Sequence, residues 1–127
     1  MFKYDKANLI TQTKILSPKI AKLLGLYFVC EKVAKHLTRN EVLDKRLYLQ
    51  TVKKWIKANG IIVSEYDVDL IFNTSWNVKG KKSFRNIRNK ICHECSISER
   101  DYAVQYFKLY KDTMQRFLDA CFKKIAR

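Results

Sequence analysis

The chain has 127 residues, 47% of them hydrophobic, enough for one domain with a buried core. One proline and three glycines are too few for the tight turns of a sandwich or barrel, so the composition points to helices with short connections. The 26 Lys and Arg against 12 Asp and Glu leave a charge of +14, which opposes compaction and calls for an anionic partner, nucleic acid first; a Lys-rich solvated surface is the plain alternative.

Residues 2–15 are weakly periodic and form a candidate first helix. SPKIAKLLGLYFVCEKVAKHL follows, with Ser17 as N-cap and Pro18 at the first helical position. Ile20, Leu23, Leu24, Tyr27, Phe28, Ala34 and Leu37 recur at helical spacing and predict its buried face. Gly25 either weakens this helix or admits a close neighbour. EVLDKRLYLQTVKKWIKANG predicts a third helix, with Val42, Leu43, Leu47, Val52, Trp55 and Ile56 on its apolar side and Asn59-Gly60 as its stop. Ser64 with Asp67 reads as a capping pair for a helix running to Trp76, with Val68, Ile71 and Phe72 inward.

VKGKK at 78–82 is a basic turn. In SFRNIRNKICHEC, Phe84, Ile87 and Ile91 share one helical stripe, and Arg85, Asn89, Cys92 and His93 an adjacent one. Ser96 with Glu99 forms a further capping box, before a last helix at 99–125. Ala103, Phe107, Tyr110, Met114, Phe117, Cys121 and Ile125 make its core-facing seam. The expected architecture is all-α, a bundle of five or six helices forming a single domain over residues 1–127. MFKYDKANLI lacks the apolar core of a signal peptide, and no apolar run is long enough to cross a bilayer. The expectation is a cytoplasmic protein with no membrane association and reduced cysteines at 30, 92, 95 and 121.

RNKICHE, residues 88–94, carries the densest chemistry. Asn89 and His93 are one helical turn apart and so are neighbours. The long Arg88 side chain can bend to the same surface, and Arg85 lies one turn before Asn89. Guanidinium groups bind phosphate oxygens and offset charge that develops in a transition state. Imidazole titrates near neutral pH and moves protons, and a carboxamide can hold an oxygen or orient the imidazole. The set suits a phosphodiester, with Arg88, Asn89 and His93 as catalytic candidates and Arg85 as a candidate substrate contact.

RNKICH also resembles the signature of the HEPN superfamily, helical domains of which many are ribonucleases: Arg, four to six residues, then His, often with Asn directly after the Arg. Arg88, Asn89 and His93 match that pattern, within FRNIRNKICHE. The resemblance implies a HEPN-like bundle that works without metal or other cofactor, as a homodimer whose paired motifs form one composite site on RNA. The ribose 2′-hydroxyl would attack the adjacent phosphate, leaving a 2′,3′-cyclic phosphate and a 5′-hydroxyl. His93 would be general base or acid, Arg88 would polarise the phosphate, and Asn89 would position it or orient His93. A toxin, an abortive-infection protein or a CRISPR-associated accessory protein fits this pattern, with an antitoxin or other defence-complex protein as a further partner. Some toxin members carry Tyr two residues after the His; Cys95 stands there in this chain, which argues against that branch.

Rival readings use the same residues. Cys92 and Cys95 form a CxxC pair, half a zinc site, and only the scattered Cys30, Cys121 and His36 are left to complete it. Small residues packing a helix end is the plainer account. His36 suits the C-terminal end of its helix as a structural or exposed residue. Tyr102, Tyr106 and Tyr110, spaced by four, suit core or dimer packing more than base stacking. A non-catalytic RNA-binding or scaffolding subunit therefore stands beside the ribonuclease as a second function class.

Overall fold

In the computed structural model, which describes residues 17–38, 49–75 and 77–125, the regular elements are six helices. The candidate helix at 2–15 and the positions Val42, Leu43 and Leu47 lie outside the described residues. Helix α1, Pro18–Thr38, opens where the Ser17 hydroxyl accepts a hydrogen bond from the Ile20 amide at 3.4 Å. Ile20, Leu23, Leu24, Tyr27, Cys30, Ala34 and Leu37 are buried along one stripe. Phe28, expected inward, is instead 47% exposed. It lies about 40° beyond Leu24 and about 100° from Tyr27, past the edge of that stripe.

Helix α2, Leu49–Ala58, buries Val52 and Ile56 and leaves Trp55 half-buried. It ends as Asn59-Gly60 predicts. Gly60 takes φ +64, the Gly60 amide donates to the Lys57 carbonyl, and the Ile61 amide donates to the Ile56 carbonyl. That pair of bonds is a Schellman motif, which needs a left-handed residue at the position glycine occupies. Helix α3, Glu65–Phe72, starts at Ser64, whose hydroxyl accepts from the Asp67 amide at 3.1 Å. It stops at Phe72 rather than continuing to Trp76. Asn73 leaves the helix in an extended conformation and its side-chain oxygen accepts from the Ser75 amide at 2.7 Å. This local bond competes with helix continuation. The Ser83 hydroxyl then donates to the freed Asn73 carbonyl at 2.6 Å.

The basic segment forms a tight turn in which Val78 and Lys81 exchange backbone hydrogen bonds of 2.6 and 3.1 Å. Helix α4, Phe84–Glu94, is capped by Ser83, whose oxygen accepts from the Asn86 amide at 3.2 Å. It closes at Cys95, in the left-handed conformation at φ 50. The expected helix over 99–125 is two helices, α5, Ile97–Gln105, and α6, Phe107–Ile125, broken at Tyr106. Tyr102 and Tyr110 flank the break. The Tyr102 hydroxyl accepts from the Lys82 amide at 3.1 Å, and the Tyr110 hydroxyl donates to the Lys82 carbonyl at 2.6 Å. Eight residues of straight helix would separate them by about 12 Å along the axis. Their ring centres are 6.5 Å apart, and both hydroxyls reach the backbone of Lys82.

Helix α6 runs through the core against α1 and α3, while α4 packs on α3, α5 and α1. Buried rings join four of these helices: Tyr27 to Phe72 at 6.2 Å and to Phe84 at 5.6 Å, Phe84 to Tyr110 at 5.5 Å, and Phe72 to Phe117 at 5.3 Å. Such tilted and edge-on pairs add to the apolar area that these large side chains remove from water. Burial raises the Tyr27 and Tyr110 hydroxyls above the usual phenol range, and pushes the Cys121 thiol up to about 12. Across α3 and α6, Arg116 meets both carboxylate oxygens of Asp67 at 2.9 and 3.0 Å. No helix among the described residues is long and apolar enough to cross a membrane.

Gly25 lies in mid-helix on the exposed side of α1, and a Cβ there would meet no described atom within 4 Å. It therefore serves no close approach, and Gly25→Ala is expected to stabilise the fold by about 0.5–1 kcal/mol. Thermal unfolding should show a midpoint a few degrees higher; an unchanged or lower midpoint would contradict this.

Candidate functional site on the fourth helix

Three apolar residues set the orientation of α4. Phe84, Ile87 and Ile91 are buried, so the opposite side of the helix faces outward. At about 100° per residue, Arg88 falls on the flank nearest α1, Asn89 points outward, and His93 lies a further ~40° round from Asn89. The burial pattern follows: Arg88 is partly buried, while Asn89 and His93 are exposed. Arg88 and His93 are thus about 140° apart on the helix, and Asn89 stands between them.

The Arg88 guanidinium is held from several sides. It lies 5.6 Å from the ring centre of Tyr27 and 5.8 Å from that of Phe28. Its Nη2 is 3.7 Å from the Glu31 carboxylate, and the two side chains are 24% and 23% exposed. Its Nη1 donates to the Asn89 side-chain oxygen at 2.8 Å. Its Nε is buried with no hydrogen-bond partner among the described residues. The guanidinium is therefore positioned by cation–π contact with two rings and by two polar neighbours, yet one N–H donor is unused. Glu31 also reaches Lys35 at 3.6 Å, and it adds to burial in raising the Tyr27 hydroxyl.

The structure brings two of the three catalytic candidates into direct contact, Arg88 and Asn89. The His93 imidazole stands in solvent on the next turn, where Lys90 and Glu94 pair at 3.0 Å on either side of it in sequence. Arg85 is turned toward the end of α3, where its Nη1 donates to the Phe72 carbonyl at 3.4 Å. That bond occupies one orphan carbonyl of the α3 terminus. Glu31, Tyr27 and Phe28 were not singled out as site residues from the sequence. The signal available was Glu31, the one acidic residue in α1, set among Lys19, Lys22, Lys32 and Lys35.

The cysteines divide into two separate environments. Cys30 and Cys121 are buried in the core, and the Cys30 thiol, raised by burial and then by its neighbour Cys121, lies 3.8 Å from the Met114 carbonyl. Cys92 is exposed, and Cys95 is the half-buried left-handed cap of α4. His36 is exposed near the end of α1. Among the described residues no three His, Cys, Asp or Glu side chains are grouped to hold a metal ion. Compared with protein-family models, with curated proteins and with solved structures, the chain matches none of them.

The ring contacts, rather than the long Glu31 contact, should dominate the energy of the Arg88 seat. Truncating the stacked stem loses packing as well as charge, whereas a partly exposed ion pair contributes at most about 1 kcal/mol. Arg88→Ala is expected to cost about 1–2 kcal/mol in urea unfolding and Glu31→Gln less than about 1. The reverse order would mean that the carboxylate holds the guanidinium.

Proposed function

We propose that the chain is a metal-independent endoribonuclease of HEPN type. The observation that carries this is the arrangement on α4: a guanidinium seated on two rings, bonded to a carboxamide, with a solvent-exposed imidazole one turn further on. A charge of +14 gives such a site a polyanion to act on. The Arg88 guanidinium, 24% exposed and bonded to Asn89, suits a phosphate oxygen. The ribose 2′-oxygen attacks the adjacent phosphorus and the bond to the 5′-oxygen breaks. His93 takes the 2′ proton or supplies the proton that the 5′-oxygen gains. The products are a 2′,3′-cyclic phosphate and a 5′-hydroxyl.

The α4 motif holds one imidazole, His93, so a single copy offers the phosphate one proton carrier. Two proton transfers in one displacement call for two such groups. A homodimer with its two α4 motifs facing supplies the second His93, and the site is composite. A toxin or antiviral defence role follows for a ribonuclease of this kind, with an antitoxin or other complex partner as its restraint.

The second reading is a non-catalytic RNA-binding or scaffolding subunit. It is favoured by the contact of Arg88 with Glu31, which occupies part of the cation that a phosphate would need. One experiment separates the two. Wild type, His93→Ala and Arg88→Ala are incubated with RNA in EDTA, with helical content and dimer mass checked in parallel. Cleavage by wild type that falls at least about 100-fold in both variants, with fold and dimer retained, is expected. Wild type that binds RNA as a dimer but cuts none would establish the second reading.

A further inference from the structure

The basic turn places three lysines over three tyrosine rings. Lys79 Nζ is 5.4 Å from the ring centre of Tyr66, Lys81 Nζ 4.9 Å from that of Tyr106, and Lys82 Nζ 4.9 Å from that of Tyr102. The rings come from α3, from α5 and from the α5–α6 break, so three parts of the fold converge on one short loop. All three rings are half-buried.

The loop is preformed. Lys79 and Gly80 take φ 50 and φ 82, and the Gly80 amide donates to the Asn77 side chain at 2.9 Å. Glycine adopts such a conformation freely, but lysine does so at a steric cost, and here it sets a cation at the tip of the turn. Lys82 is different from the other two. Its ammonium pairs with Glu99 at 2.7 Å, and its backbone is tied to Tyr102 and Tyr110. Lys82 and Tyr102 therefore make a fixed floor. Lys79 and Lys81 form no ion pair among the described residues and rest on their rings alone.

We infer that this turn and its tyrosines are a binding site for single-stranded RNA, with phosphates on Lys79 and Lys81 and bases on the faces of Tyr106 and Tyr66. The inference rests on the proposal that the chain acts on RNA. A lysine over a ring in water is a weak contact, and a base stacked on the same ring is a stronger one. When an ammonium swings out to a phosphate, the ring face it leaves is open to the neighbouring base. A single strand offers both groups at every nucleotide. An acidic peptide would use the lysines and leave the rings idle.

Position supports the same ligand. The turn leads into α4, whose first residue, Phe84, lies about 6 Å along the helix axis from Arg88 and about 14 Å from His93. A strand seated on the turn would extend over the candidate site within a few nucleotides.

The test uses a fluorescein-labelled, fully 2′-O-methylated RNA 12-mer, which presents phosphates and bases but no 2′-hydroxyl to attack. Its anisotropy is followed with the whole chain over a range of salt. Lys79→Glu/Lys81→Glu is expected to weaken binding at least about tenfold and to lower the slope of log Kd against log salt by roughly 1.4, the value for two phosphate contacts on a single strand. Tyr106→Leu should weaken binding about tenfold with little change of slope. Tyr66→Leu reads the same kind of contact from a ring outside the helix break, should Tyr106→Leu lose helical content. Lys57→Glu/Lys123→Glu makes the same change in net charge far from the turn, Lys123 being 17 residues along α6 from the break, about 25 Å.

Equal weakening by the two charge-reversed pairs, full binding by the tyrosine variants, or no binding by wild type would overturn the inference. Failure of the nuclease proposal looks different: wild type then leaves unmodified RNA intact while the binding pattern above persists.

Discussion

Tyr27 is the residue on which the rest of the structure most depends. Its ring is buried between Phe72 and Phe84, which ties α1 to α3 and α4. The same ring carries the Arg88 guanidinium. One turn further along α1, Glu31 supplies the carboxylate beside that guanidinium. Core packing and the geometry of the candidate site are therefore one problem. The α4 helix cannot rotate to bury Phe84, Ile87 and Ile91 without bringing Arg88 against α1, and Asn89 and His93 are thereby turned to solvent.

The sequence made much of this legible because its signals were local. Ser17, Ser64, Ser83 and Ser96 stand directly before helices and each accepts a backbone hydrogen bond from the residue three positions on. Phe84, Ile87 and Ile91 gave the inward side of α4 through spacing alone. What was not legible depends on partners distant in the chain. Periodicity runs unbroken through the break at Tyr106, and the bonds of Tyr102 and Tyr110 to Lys82 span 20 and 28 residues. The early stop of α3 follows from the Asn73 side chain and from Ser83. Glu31 becomes relevant to Arg88 only once α1 and α4 are packed together.

The α4 motif and the basic turn differ in how they treat charge. Arg88 is half-buried, stacked and partly compensated, which fixes its direction at the expense of free charge. Lys79 and Lys81 rest on rings at the surface and are easily exchanged. A site that must polarise one phosphate needs the first kind of cation, and a surface that gathers a flexible strand needs the second. A ribonuclease acting on single-stranded RNA has use for both.

The central claim is that α4 serves an attack by the ribose 2′-hydroxyl. It is tested most directly with a defined RNA whose cleaved nucleotide carries a single 2′-deoxy substitution, incubated with the wild-type chain in EDTA. The account predicts that scission at that one phosphodiester stops, that other sites are cut as before, and that the unmodified RNA yields ends bearing a 2′,3′-cyclic phosphate. Undiminished cleavage at the 2′-deoxy position would contradict it.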